Sequence, residues 1–391
     1  MRSRLRFITF VASLASVSVA CSSENPRVAA ASAGSGGTGG DGLASSAGSG
    51  GSTPDLGAAG SGGTAGAASA GAGASASEPS GMPLPSATGI AKPVGVAGHL
   101  TVLDWAGFKA AASFSFDDAL ASQIANYSAL QATGVHLTFY LISTNNATSP
   151  VWAQAQKDGH ELGNHTAHHC HADGTACGGV YAGSIEAELD QCTNQLVMQY
   201  GAPVWTAASP YGDSGYDVPD STRFLVNRGV VDGQIAPNDN TSPFELPAHV
   251  AGLGEMAASL EAAVDSARSN GTWQLFVIHS LGGDGGYNPV LTSDVVATIE
   301  HGKSAGDVWT DSVVNVAAYW RAQKLFSALT PAISGDATTW TWTLPSHFPP
   351  GHYLRVRVDG GTLRQANAEL AWSEHGFYEV ALDAGSLTLT P

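Results

Sequence analysis

The chain is short of basic residues. Of its 391 residues only 16 are Lys or Arg, against 33 Asp or Glu, for a formal net charge of −17. Such a chain repels a phosphate backbone, which excludes nucleic acid as a partner. It also lacks a long apolar run near its start. The stretch from Phe7 to about Val19 is too short to span a bilayer comfortably. Cysteine is scarce: four in all, of which Cys170, Cys177 and Cys192 lie close together in sequence. One disulfide and one leftover thiol is the simplest count, with three pairings open. The zinc-peptidase motif HExxH is absent too. HELGNH (160–165) comes near it, but Asn164 breaks the spacing, and Gly159 and Gly163 oppose the helix such a motif needs.

What is present begins with MRSRLRFITFVASLASVSVAC, a basic start (Arg2, Arg4, Arg6), a short apolar run and Cys21. It resembles a bacterial lipoprotein signal, so residues 1–20 are expected to be removed and Cys21 to carry a lipid anchor. The protein is then exported and meets a membrane only through that anchor; otherwise it is secreted. Residues 21–98 are rich in Gly, Ala and Ser and have almost no large apolar side chain. They cannot bury enough surface to offset chain entropy and read as a disordered tether.

Residues 99–329 alternate strand-like and helix-like stretches. AASFSF precedes ALASQIANYSALQATG, HLTFYLI precedes SPVWAQAQKDG, and SIEAELDQCTNQLVMQYG and GEMAASLEAAVDSARSNG read as helices. Alternation of this kind predicts an α/β fold, a mainly parallel sheet with helices outside, open or closed into a barrel. Reactive residues then belong at the C-terminal ends of strands. Asp117-Asp118, His165, Ser209-Pro210-Tyr211 and His279 each end a different strand-like run. Four strand ends finishing this way converge on one rim. Residues 330–391 alternate apolar and polar between Gly turns and read as a small antiparallel β module. Its Trp340, Trp342, Tyr353 and Trp372 either form a sugar-stacking face or fill the module's core.

The densest signal is GNHTAHHCH (163–171), with His165, His168, His169 and His171 inside seven positions. Imidazoles at this density suit a metal. His165 pairs with His169 at i, i+4 or with His168 at i, i+3, and either pair can face one side of a turn.

Together these pieces resemble the polysaccharide deacetylase family (carbohydrate esterase family 4, the NodB-homology domain) over roughly residues 105–325. The carrying motifs are Ser115-Phe116-Asp117-Asp118-Ala119, His165-Thr166-Ala167-His168-His169, Ala208-Ser209-Pro210-Tyr211-Gly212 and the strand Leu275-Phe276-Val277-Ile278-His279. The resemblance implies a distorted (β/α) barrel. It implies a divalent metal, usually zinc, on Asp118, His165 and His169, with Asp117 as general base and His279 as general acid. It implies that Pro210 and Tyr211 line the substrate, the Tyr211 N–H helping to hold the oxyanion. The substrate implied is an acetylated polysaccharide or oligosaccharide, with N-acetylglucosamine of chitin or peptidoglycan first. An O-acetyl esterase on xylan is the alternative in the same class, and a non-catalytic sugar-binding lipoprotein the alternative outside it. Binding alone, however, needs neither Asp117 nor His279. His168 and His171 receive no role. The chain departs from the family at Ala208, where many members place an Arg against the catalytic Asp. It also departs at GVVDGQ (229–234), which lacks the Trp of the family's fourth motif.

Overall fold

The computed structural model describes residues 78–201 and 203–391. The expected signal, and the expected tether as far as residue 77, lie outside them. In chain order the elements are β1 (Thr101–Val102), β2 (Ala110–Asp117), α1 (Ala121–Gln131), β3 (Thr138–Leu141), α2 (Pro150–Lys157) and β4 (Glu161–Asn164). There follow α3 (Ile185–Tyr200), β5 (Thr206–Ala208), α4 (Asp217–Ser221), β6 (Val226–Arg228), β7 (His249–Val250) and α5 (Ala257–Asn270). The barrel ends with β8 (Trp273–Ile278), α6 (Thr292–Ser304), β9 (Val308–Thr310) and α7 (Val313–Ser327).

The helices start and stop where local chemistry dictates. The Ser184 hydroxyl accepts from the Ala187 N–H at the head of α3, and Gly201 ends that helix at φ +71°. Ser149 and Pro150 open α2, and Ser312 caps α7. Strands β6-β5-β4-β3-β2-β8-β7 form one sheet in that order, with β9 also on β2, and every pairing is parallel. The seam between β6 and β7 is bridged by Leu246, which pairs alongside Arg228. The result is a curled, distorted barrel, as expected.

Central β2 is buried at all eight positions. Phe114 stacks on Phe276 at 4.8 Å and Phe116 on Phe139 at 5.2 Å beneath the helices. Trp273, Leu275 and Val277 of β8 join Val316, Tyr319 and Trp320 of α7 in a second core that continues into Leu354, Val356 and Val380 of the C-terminal module. Each large apolar side chain fully buried there contributes about 1.5–3 kcal/mol. Helix α7 therefore ties the barrel to the module.

The module holds β10 (Ala332–Ser334), β11 (Ala337–Thr341), β12 (Tyr353–Arg357), β13 (Thr362–Gln365), β14 (Ala368–Glu369), β15 (Trp372–Ser373), β16 (Phe377–Ala381) and β17 (Ser386–Thr390). Two antiparallel sheets form from them, β1-β12-β16-β15 and β10-β11-β17-β13-β14.

The boundaries differ from those the sequence suggested. Strand β1 belongs to the module's sheet, not to the barrel. Residues 78–98, placed in the tether by composition, form an ordered strap along the module. The Ser80 N–H donates to Glu379 Oε2 at 2.8 Å, and the Ile90 N–H to the Glu374 carbonyl at 2.8 Å. The fully buried Arg355 donates to the carbonyls of Met82 and Pro83 and pairs with Glu379 at 3.0 Å. A buried guanidinium needs several acceptors, and the strap supplies two of them.

The module's aromatic residues form no common open face. Trp342 is buried against Phe326 and donates to the Leu382 carbonyl, while Trp372 packs on Tyr378 and donates to the Ile90 carbonyl of the strap.

Candidate active site and metal centre

The end of β2 turns abruptly. Asp118 and Ala119 stand at φ +78° and +55°, a left-handed turn that non-glycine residues rarely adopt. It brings the side chains of Asp117 and Asp118 to one pocket. A second such turn follows β4, with Thr166 at φ +64° and His169 at +51°. Asn164 Oδ1 accepts from the Thr166 N–H at 2.8 Å, and the Thr166 hydroxyl accepts from the His169 N–H at 2.9 Å. Backbone strain of this sort persists where surrounding structure enforces it, and it clusters at functional sites.

These turns bring Asp118, His165 and His169 together, with one candidate ligand atom of each lying within 4.8 Å of the others. Asp118 Oδ1 is 3.4 Å from His165 Nε2 and 3.6 Å from His169 Nε2. The donor set fits a divalent metal on two further grounds. His165 Nδ1–H donates to the Ala208 carbonyl at 2.8 Å, leaving the Nε2 lone pair aimed at Asp118. Asp118 Oδ1 is buried with no hydrogen-bond partner among the described residues, an arrangement that costs free energy unless something is bound.

His168 points elsewhere, with Nδ1 at 3.0 Å from the fully buried carboxylate of Glu188, which also accepts from the His168 N–H. His171 Nδ1 lies 2.9 Å from Asp213, and its ring stacks on Tyr211 at 3.7 Å. Of the three possible disulfides, Cys170–Cys177 forms and pins this loop. Cys192 is free and buried, and burial pushes its thiol up to about 12.

Asp117 and His279 flank the cluster. Asp117 Oδ2 is 3.8 Å from His165 Nε2 and 3.9 Å from His279 Nε2. Asp117 Oδ1 and His279 Nδ1 have no partner among the described residues and are buried. Burial holds the His279 imidazole below its ordinary range, partly offset by Asp117 and Asp118. His169 is pushed down to about 4 by burial and by the neighbouring His165 ring. Burial raises Asp118, yet His165, His279 and His169 together bring it down to about 2. At neutral pH this gives an ionised Asp118 and a neutral His169, which suit a cation, whereas at His165 the lowering effect of burial is outweighed by Asp117 and Asp118, which hold the ring above its ordinary range. Tyr211, at φ +58° on the turn after β5, is 45% exposed and packs 4.6 Å from the His169 ring. Pro210 beside it is buried.

Two residues at the site were not anticipated. Arg228, the last residue of β6, is fully buried and hydrogen-bonds Asp117 Oδ2 through Nη2. Its register partner on β5 is Ala208, the position where an arginine was missed. Paired residues of neighbouring strands face the same side, so the guanidinium reaches Asp117 from one strand further along. Gln123, fully buried on α1, donates to the carbonyls of Asp117 at 2.5 Å and His279 at 2.9 Å. That amide staples the ends of β2 and β8. A buried charged residue closing an apolar strand (LVNR, 225–228) was the available signal for Arg228. Gln123 had none beyond its place in the first turn of a helix.

Residues 108–228 match the family model described as polysaccharide deacetylase. No curated protein sequence matches the chain. Among solved structures it is similar to a putative polysaccharide deacetylase from Mycobacterium smegmatis (16% identity, 61% of this chain and 96% of that one, TM-score 0.42). It is similar to a family 4 carbohydrate esterase from Streptomyces lividans in complex with acetate (15% identity, 52% and 92%, TM-score 0.37). A third is the catalytic domain of a peptidoglycan N-acetylglucosamine deacetylase from Eubacterium rectale (17% identity, 58% and 94%, TM-score 0.37). The family match spans both aspartates, both histidines of the cluster and Pro210-Tyr211, and closes on Arg228; over this stretch the chain is similar to the polysaccharide deacetylase family.

Proposed function

We propose that the chain removes acetyl groups from N-acetylated carbohydrate of the N-acetylglucosamine type, in polymers such as chitin or peptidoglycan, with zinc on Asp118, His165 and His169. The observation that carries this reading is the convergence of those three side chains with Asp117 and His279 on either side. A divalent ion held there polarises the acetyl carbonyl and acidifies water.

The chain's own residues supply the rest. Asp117, oriented by Arg228, takes the proton of the attacking water through its unpartnered Oδ1. His279 gives a proton to the departing amine, which leaves poorly without one. Positioned donors on the Tyr211 turn favour the oxyanion. Export and a lipid anchor at Cys21 place the enzyme at the cell envelope, among glycans of this kind.

The test is acetate release from a soluble N-acetylglucosamine oligomer, with and without chelator, alongside metal content. His169→Ala should lose the metal, whereas His168→Ala should keep it and lose only stability. His279→Ala should keep the metal and lose about 100- to 10,000-fold in turnover on the amide. Turnover of His279→Ala within about threefold of the parent chain, or full activity after metal removal, contradicts the assignment.

A further inference from the structure

Resting on the activity proposed above and narrowing its substrate class, we infer that the mouth of the barrel selects glycans by charge: neutral or amine-bearing chains of the chitin type are favoured over carboxylate-bearing ones of the peptidoglycan type. The basic residues of the barrel are segregated. Lys109, Lys157, Arg223, Arg268 and Lys303 stand just ahead of β2, β4, β6, β8 and β9, at the N-terminal end of the sheet. Arg321 on α7 reaches the Leu225 carbonyl at that same end. Arg228 alone comes to the catalytic end, buried against Asp117.

The segments that follow the strands at the catalytic end are residues 118–120, 142–149, 165–184, 209–216, 229–231, 251–256 and 279–291. They contain no Lys or Arg. They do contain Asp173, Asp213, Glu255 and Asp284 besides Asp118. With a divalent cation on Asp118 and Arg228 on Asp117, four rim carboxylates still have no lysine or arginine in these segments to balance them.

The two banks of the mouth differ in kind. On one side His171, Asp173 and Asp213 line an open basin of about 420 Å³ beside the exposed Tyr211 ring. On the other, past Tyr287, which sits edge-on to His279 at 5.0 Å, Leu253, Met256, Tyr287 and Leu291 are 62–75% exposed. The Gly254 N–H donates to the Pro289 carbonyl and joins these two loops. The first bank carries Asp173 and Asp213; the second exposes apolar side chains, its Glu255 bonded to His249 and its Asp284 to Ser122 and Ser280. Neither offers the guanidinium or ammonium that recognises a carboxylate or phosphate. A sugar chain crossing between them lays apolar ring faces on one bank, while any ammonium it carries meets the other.

At about 8 Å in water one charge pair changes an association constant about twofold, and several act together at low salt. The expected spread between substrates of opposite charge is about tenfold, narrowing as salt shortens the screening length to less than about 10 Å.

The experiment measures kcat/KM for acetate release by the full chain, at low and at physiological salt, on three hexasaccharides. These are the N-acetylglucosamine oligomer, the same oligomer with alternate units already deacetylated, and an oligomer alternating with carboxylate-bearing N-acetylmuramic acid. At low salt the carboxylate-bearing oligomer should be about threefold poorer than the neutral one and about tenfold poorer, per acetyl group, than the amine-bearing one. Added salt should raise the first, lower the second and leave the neutral one unchanged. Asp173→Lys, which reverses one charge of the acidic bank, should raise the rate on the carboxylate-bearing oligomer relative to the neutral one about fourfold at low salt. Equal rates on all three at low salt, or salt slopes of the wrong sign, overturn the charge selection while leaving the deacetylase reading intact. No acetate from any of the three overturns both.

Discussion

Removing Arg228 is the most informative single perturbation of this site. Its guanidinium is fully buried, bonded to Asp117 through Nη2, donating to the Gly229 carbonyl through Nη1 at 3.1 Å, and lying 5.4 Å above the Tyr140 ring. Arg228→Met keeps most of the volume and removes the charge. It strands the Asp117 carboxylate in the protein interior, and breaking a buried ion pair from one side costs about 3–5 kcal/mol. It also frees Asp117 to rotate away from the water it is to deprotonate, and a displacement of about 1 Å costs roughly 100-fold in rate. Arg228→Met should therefore melt well below the parent chain and lose about 100-fold in kcat, yet bind metal with unchanged stoichiometry, because Arg228 touches none of the three ligands. The register adds a sharper arm. Since Ala208 is the strand partner of Arg228, Ala208→Arg in the Arg228→Ala background should recover part of both losses. Paired melting curves and acetate assays with a metal titration read all of this. If Arg228→Met melts and turns over like the parent, the ion pair neither orients the base nor holds the barrel, and the reasoning from the register fails with it.

Two further predictions concern stability. A chain beginning at residue 78 should melt like the full protein, whereas one beginning at residue 99 should melt markedly lower. The second loses the acceptors of Arg355 and the Ser80 contact with Glu379, and each hydrogen bond to a charged group is worth about 1.5–3 kcal/mol. Equal melting temperatures would show the strap to be passive. Asp220, fully buried with neither carboxylate oxygen partnered among the described residues, is held well above the ordinary carboxylate range by burial and by Asp217. Below the unfolded-state value of about 3.9 both states carry the proton and the group has no effect on stability. As pH rises past it the unfolded chain ionises while the folded one does not, so stability falls. Asp220→Asn should consequently raise the melting temperature at pH 7 and leave it unchanged near pH 3; an equal shift at both would contradict this.

The parts of the fold that were legible in the sequence are those whose signal is local. Alternating strand and helix periods give the barrel, and polar residues closing apolar runs give Asp117, Asp118, His165 and His279. The spacing left His168 and His169 both open at i, i+3 and i, i+4. The chain's turn at Thr166 decides between them, sending His168 to Glu188. Arg228 was hidden because its partner lies 111 residues away in sequence, and only strand register brings the two together. The strap was hidden because PLPSATGIAKPVGVAG has the composition of a linker. Its few anchors, Met82 and Ile90 among them, are meaningful only once Arg355 and Trp372 are in place. The disulfide could not be chosen by counting cysteines.

The strap also fixes where mechanical load enters the molecule. Whatever precedes residue 78 is joined to a segment fastened to Glu379, Arg355, Glu374 and His375 of the module. A pull on the N-terminal end is thus taken up by the module's strands. It passes to the barrel through α7 and through residues 103–109, which run from β1 into β2, at the end of the sheet opposite Asp117 and His279. An enzyme held on a leash and dragged along a stiff polymer would peel at the strap long before its catalytic geometry felt the force.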